Sequence, residues 1–106
     1  MEISCADVKR MRVAGESYVL VDCREADEHV ICSIDGAMLL PMSEIVGRVA
    51  ELAGREGERV VVYCHLGGRS LRVAAWLREQ GFAHAQSMAG GIDQWAAEIE
   101  PEMPRY

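Results

Sequence analysis

Short apolar runs of strand length alternate with amphipathic segments along this chain. Tyr18-Val19-Leu20-Val21 is apolar throughout and ends at Asp22, the pattern of a strand buried on both faces. Ala37-Met38-Leu39-Leu40 is a second such run, stopped by Pro41. Val60-Val61-Val62-Tyr63, β-branched and uncharged, is the strongest strand, and Ala85 to Met88 is a weaker one. Helical patterns fill the intervals. Ser4 followed by Asp7 resembles a capping box and predicts a helix over about 5–14, stopped by Gly15. Arg24 to Val30 reads as a short exposed helix, and Ser43 with Glu44 opens one that carries Ile45, Val49 and Leu52 and closes at Gly54. Ser70, Val73, Ala74, Leu77 and Gly81 fall on one face of a helix over about 70–80, directed at a sheet. Ile92 to Ile99 forms a last helix after Gly90-Gly91.

Strands apolar on both faces, each separated from the next by a helix, imply a parallel sheet covered on two sides. The expected architecture is α/β in three layers, and 106 residues suit one domain over 1–106. Half of the residues are hydrophobic and the formal net charge is −6, which excludes a disordered chain and a global basic footprint for nucleic acid or anionic lipid. The longest apolar runs, Val60–Cys64 and Val73–Leu77, are five residues each, far short of the about 20 that span a bilayer. The first residues include Glu2 and Asp7 and lack the apolar core of a signal peptide, so a reducing cytoplasm with free thiols is expected. Cys5, Cys23, Cys32 and Cys64 contain no Cys-x-x-Cys pair and are too sparse for a disulfide scaffold.

Candidate chemistry gathers after the strongest strand, in Cys64-His65-Leu66-Gly67-Gly68-Arg69-Ser70. Reactive groups in open parallel sheets lie beyond the carboxyl ends of the strands, and Cys64 occupies such a place at the start of a helix. The paired glycines let the loop curl with its N–H groups inward, and the helix N-terminus and Arg69 add positive potential. A thiol there has a lowered pKa and is a nucleophile at neutral pH, whereas without these neighbours a strand-end cysteine is a small buried hydrophobe. Loops that wrap a phosphate carry one residue more between cysteine and arginine. Here His65, Leu66, Gly67 and Gly68 make four, which suits a smaller load such as one extra sulfur atom and disfavours dephosphorylation or arsenate reduction.

The same loop resembles the Cys-x-x-Gly-x-Arg-Ser active loop of single-domain rhodaneses, the thiosulfate sulfurtransferase family. Gly90-Gly91-Ile92-Asp93-Gln94-Trp95 is similar to the family's late Gly-Gly-x-x-x-Trp, Asp22-Cys23-Arg24-Glu25 to its Asp-Val-Arg-Glu, and the Pro101–Tyr106 tail to the ending of many bacterial members. Two departures are Cys32-Ser33-Ile34-Asp35-Gly36-Ala37, where members often show Gly-His-Ile-Pro-Gly-Ala, and Cys23 in place of valine. The resemblance implies a rhodanese-like fold with a mostly parallel sheet of about five strands and helices on both faces. It also implies a ping-pong sulfur transfer from a donor such as thiosulfate to cyanide or a thiol, through a persulfide on Cys64 and without metal or organic cofactor. The amides of residues 65 to 70 (His65, Leu66, Gly67, Gly68, Arg69 and Ser70) would cradle that persulfide, with Asp22 and Arg24 as supports for the loop. The alternatives are a persulfide relay between protein donors and acceptors and a partner-binding module without chemistry.

The remaining candidates have plainer readings. Arg72, one turn into the helix, is the candidate for steering an anionic donor. His65 reads as an exposed loop histidine more than a general base. Cys23, His29 and Cys32 fit no standard zinc spacing. Cys5 or Cys32 could resolve the persulfide into a disulfide, although both read first as idle thiols. Trp76 and Trp95 read as packing residues, and Arg24–Glu28 and Arg55–Arg59 as solvated faces.

Overall fold

The computed structural model describes residues 1–106. Its elements are β1 (Glu2–Ile3), α1 (Cys5–Ala14), β2 (Val19–Asp22), α2 (Ala26–Ile31), β3 (Met38–Leu39), α3 (Ile45–Arg48) with a 3-10 turn at Val49–Leu52, β4 (Val60–Tyr63), α4 (Gly68–Glu79), β5 (Ala85–Met88) and α5 (Gly91–Glu98). The strands form one five-stranded sheet in the order β1-β5-β4-β2-β3, and every pairing is parallel. The expected α/β architecture is therefore present.

The period-two alternation of β2 and β4 sorts the core into two layers. Val19, Val21, Cys23, Val60, Val62 and Cys64 face one side, where Ile45 of α3 and Val73, Ala74 and Leu77 of α4 cover them. Leu20, Val61 and Tyr63 face the other, beneath Cys5, Val8 and Met11 of α1 and Ile92 and Trp95 of α5. Buried Trp95 and half-buried Trp76 are packing residues, as their spacing predicts.

Two elements differ from the pattern. β1 is only two residues long and pairs with β5 at the sheet edge, too short to display any alternation. The helix expected from Ser43 to Gly54 shrinks to one turn of α-helix followed by a 3-10 turn. Arg48 leaves helical angles there (φ −118°, ψ 3°), directly after Gly47, a weak helix former.

This topology determines where a site can form. From β2 the chain passes to β3 on one side and then back to β4 on the other, so the sheet reverses direction between β2 and β4. The crevice beyond the carboxyl ends at such a reversal is where open α/β sheets place ligands. The residues that leave the sheet there are Asp22-Cys23-Arg24 and Cys64-His65.

The start of α5 clamps this crevice from the side. Ile92 N–H donates to the Cys64 carbonyl at 2.9 Å and Asp93 N–H to the His65 carbonyl at 3.1 Å. Gly91 makes that approach at φ +62°, and a Cβ on it would collide with the carbonyl groups of both Cys64 and His65. Gly91→Ala should lower stability by about 1–3 kcal/mol, read as an earlier urea midpoint. Gly57→Ala, with open space around it and an ordinary φ, should move the midpoint by less than about 1 kcal/mol. Equal midpoints for the two variants would contradict the clamp.

Candidate active site

Cys64 leaves the end of β4, and its sulfur is met by the loop that follows. Gly67 N–H donates to Sγ at 3.1 Å and Ser70 N–H at 3.3 Å. Ser70 Oγ lies 3.4 Å from the sulfur and 2.7 Å from Ser87 Oγ, both serines being fully buried. With the sulfur ionised, Ser87 can donate to Ser70 while Ser70 donates to the sulfur. Gly67 adopts φ +109°, which turns its own amide and the first turn of α4 toward Cys64. The loop amides of His65, Leu66, Gly68 and Arg69 have no acceptor within the chain. They form a set of free donors at the N-terminus of a twelve-residue helix.

These contacts make Cys64 acidic. The neighbouring Cys23 thiol has the largest effect. Burial opposes ionisation, and the Ser70 hydroxyl with the amides of Ser70 and Gly67 favours it, so that the pKa lies at about 4. The Cys23 thiol is pushed far up, by its neighbour Cys64 first and by burial second.

Cys64 is 1% exposed but is not sealed. It forms the floor of a cavity of about 310 Å³ whose walls are His65, Leu66, Gly68, Arg69 and Arg72. A larger hollow of about 510 Å³ beside α1, with Lys9, Arg12 and Tyr18 in its wall, contains no nucleophilic thiol.

The structure places the predicted residues unequally. Gly67 and Ser70 touch the sulfur, Leu66 and Gly68 border the cavity, and Arg72 stands exposed on its wall. Arg69 also borders the cavity, but its guanidinium grips Glu28 with two bonds of 2.7 and 2.9 Å instead of standing free. His65 is not an exposed loop histidine: its ring stacks on Tyr106 at 4.0 Å between centroids, and Nε2 is buried without a partner.

Nor is Arg24–Glu28 a solvated face. Arg24 is fully buried and donates through Nε and Nη2 to the two oxygens of Asp22 at 2.9 and 2.7 Å. Asp22 also receives the Arg24 amide, the Tyr63 hydroxyl and His29 Nδ1. Burial pushes the Asp22 carboxyl up, but the hydrogen bonds from Arg24 and His29 prevail and hold it below its ordinary value. A chain of contacts then runs outward. Arg24 Nη1 donates to Tyr106 Oη at 3.0 Å, Tyr106 Oη donates to Glu28 at 2.7 Å, and Glu28 holds Arg69. Asp22 and Arg24 thus reach the loop through Glu28 and Tyr106.

Glu28, His29, Tyr106 and Ser87 carry no motif of their own, and only the tail resemblance brought Tyr106 into view. Cys23, His29 and Cys32 do not converge. Cys23 faces Cys64, His29 faces Asp22, and Cys32 supplies its sulfur and carbonyl to Arg24. Cys5 donates toward the Ala89 and Gly91 carbonyls in the opposite layer, where burial raises its pKa to about 11.

A parallel five-stranded sheet with an acidic cysteine in a ring of amides defines a class of protein, and comparison with known proteins agrees. The profile of the rhodanese-like domain matches residues 4–98, and the chain belongs to that family. An adenylyltransferase and sulfurtransferase of Zea mays, MOCS3-2, is 33% identical over 98% of this chain, which spans 23% of that relative's length. The putative sulfur carrier protein YrkF of Bacillus subtilis is 30% identical over 93% of this chain and 52% of its own. Among solved structures, a rhodanese-related protein of Thermoplasma volcanium superposes with a TM-score of 0.83 at 28% identity, covering 94% of each chain. The human single-domain sulfurtransferase TSTD1 shares the fold, with a TM-score of 0.78 over 92% of this chain and 96% of its own at 24% identity. The chain thus corresponds to about a quarter of MOCS3-2.

Two outcomes test this electrostatic picture. Alkylation of Cys64 by iodoacetamide should follow a pH profile that inflects near 4, and an inflection near the ordinary thiol value of 9 would refute the thiolate. Glu28, held at about 2 chiefly by its hydrogen bonds from Arg69, contributes stability that is complete above 4.5 and is lost as pH falls toward 2. Glu28→Gln should therefore flatten that part of the acid-unfolding curve, and an unchanged curve would show that the pair adds nothing.

Proposed function

We propose that this chain is a sulfurtransferase that carries sulfane sulfur on Cys64. The observation that carries the reading is the Cys64 sulfur, held by the Gly67 and Ser70 amides beneath free loop amides and open to a cavity on one side. In the first half-reaction the Cys64 thiolate attacks the outer sulfur of thiosulfate. A Cys64–sulfur bond forms, the sulfur–sulfur bond of the donor breaks, and sulfite leaves with the electron pair. The outer sulfur of the resulting persulfide carries the negative charge, and the amides of Leu66, Gly68 and Arg69, which have no acceptor within the chain, would receive it as an oxyanion hole receives its oxygen. In the second half-reaction a thiol or cyanide attacks that outer sulfur, and Cys64 leaves as the thiolate it was. The cycle as written needs no metal and no organic cofactor.

Arg72, unpaired on the cavity wall, would draw an anionic donor toward a chain of net charge −6. Arg69, neutralised by Glu28, would hold the loop in shape instead. The narrow closure of Gly67 and Ser70 on a single sulfur supports sulfur transfer over phosphate chemistry. We place the reaction in the cytoplasm, where the four cysteines are free thiols. No helix is long and apolar enough to cross a membrane.

The relatives favour a second reading of the same site. MOCS3-2 bears the name of a sulfurtransferase and YrkF that of a sulfur carrier protein, so a protein persulfide could stand where thiosulfate is written above. Intact mass after incubation with thiosulfate should show a gain of one sulfur atom that cyanide removes and that Cys64→Ser lacks. Loading from a persulfidated protein donor but not from thiosulfate would select the relay. Absence of any gain from either donor in the natural chain and in Cys23→Val alike, with no sulfite released from thiosulfate, would refute the persulfide.

A further inference from the structure

The sequence places cysteine at position 23 between Asp22 and Arg24, and the sheet puts it against Cys64. β2 and β4 run parallel with Val21 opposite Val62 and Asp22 opposite Tyr63, so the next pair in register is Cys23 and Cys64. The ladder continues to this point, because Cys23 N–H donates to the Tyr63 carbonyl at 3.0 Å. Met42 N–H holds the Cys23 carbonyl at 2.9 Å from the other side. The alternation of the strands turns both thiols into the same core layer. Neighbouring strands lie about 4.8 Å apart, within the ~4.4–6.8 Å that separates the Cα atoms of cystines. Cys23 is fully buried and takes no part in the cavity wall, so it stands beside Cys64 within the core layer. Cys5 and Cys32, the other cysteines, belong to the opposite layer.

We propose that Cys23 is a resolving thiol that discharges the Cys64 persulfide as sulfide, giving the chain a second activity when no acceptor enters the cavity. This rests on the persulfide reading above. Cys23 Sγ attacks the inner sulfur, Cys64 Sγ, and a Cys23–Cys64 disulfide forms as the bond from Cys64 to the outer sulfur breaks. The outer sulfur leaves through the cavity with the Cys23 proton as HS⁻. The zero-valent sulfur gains two electrons, and the two cysteines supply them. Two molecules of a low-molecular-weight thiol then reopen the disulfide and leave as their own disulfide. The net reaction reduces sulfane sulfur to sulfide at the cost of two thiols. An external acceptor competes for the outer sulfur from the cavity, while Cys23 acts on the inner one from the neighbouring strand, so the availability of acceptor decides which product appears.

The test loads the full chain and Cys23→Val with excess thiosulfate, removes the donor without adding thiol, and follows three quantities. Sulfite release and the gain of one sulfur atom report loading. Sulfide is measured per sulfur atom loaded, which cancels any change in loading rate, and non-reducing peptide mapping seeks the 23–64 cross-link. The expected result is loss of the added sulfur, about one sulfide per sulfur loaded and a 23–64 cross-link in the natural chain, with a lasting persulfide and no sulfide in Cys23→Val. Cys23→Ser repeats the measurement with a side chain of cysteine's size, and loading itself reports that a variant is folded. A persulfide that lasts equally in both chains, or sulfide released equally by both, overturns the role of Cys23 and leaves the sulfurtransferase reading intact. Absence of sulfite and of added sulfur in the natural chain overturns both.

Discussion

A sulfur atom held as an anion by hydrogen-bond donors, against the cost of burial, is the interaction on which the rest of this structure turns. Burial alone would keep Cys64 protonated and inert. Two amides, a serine hydroxyl and a second thiol reverse that balance. None of these donors is near Cys64 in an extended chain. They are assembled by a loop that needs a left-handed glycine at Gly67, by a helix that begins at Gly68, and by a strand pairing that brings residue 23 beside residue 64.

A second layer of polar contacts supports the first. Asp22 and Arg24 form a fully buried ion pair, and such a pair is costly unless its remaining donors and acceptors are satisfied. Here they are, by Tyr63, His29, the Cys32 carbonyl and Tyr106. The outer end of the network is the Glu28–Arg69 pair, which holds the first turn of α4. The C-terminal Tyr106 closes over it, stacked on His65. Elements distant in sequence thus meet around one loop, which the start of α5 also holds by its carbonyl groups.

Much of this was legible in the residue pattern. β2, β3 and β4 follow from short apolar runs, β5 from a weaker one, and the longest helix from the period of Val73, Ala74 and Leu77, because buried parallel strands and sheet-covering helices leave little freedom in composition. β1 escaped because two residues carry no period, and α3 was overdrawn because Gly47 weakens a helix that capping residues announce. The nucleophile was legible because strand, glycines and helix start are contiguous in sequence. Its partners were not. Ser87 lies in a different strand, Tyr106 closes from the C-terminus, and Glu28 sits in a charged stretch indistinguishable from a solvated face. Cys23 was visible as a departure from a family pattern, but its meaning depends on the register of β2 against β4, which local sequence does not encode.

The central claim is that hydrogen-bond donors, the loop amides among them, hold the charge on sulfur, and amide proton chemical shifts read the amides' part in this directly. In a ¹⁵N-labelled sample at neutral pH, the Gly67 and Ser70 amide protons should resonate downfield and lose that displacement in Cys64→Ser. On loading with sulfur, the Leu66, Gly68 and Arg69 amides should move downfield in turn. Resonances of these loop amides that respond neither to removal of the thiol nor to sulfur loading would contradict the account.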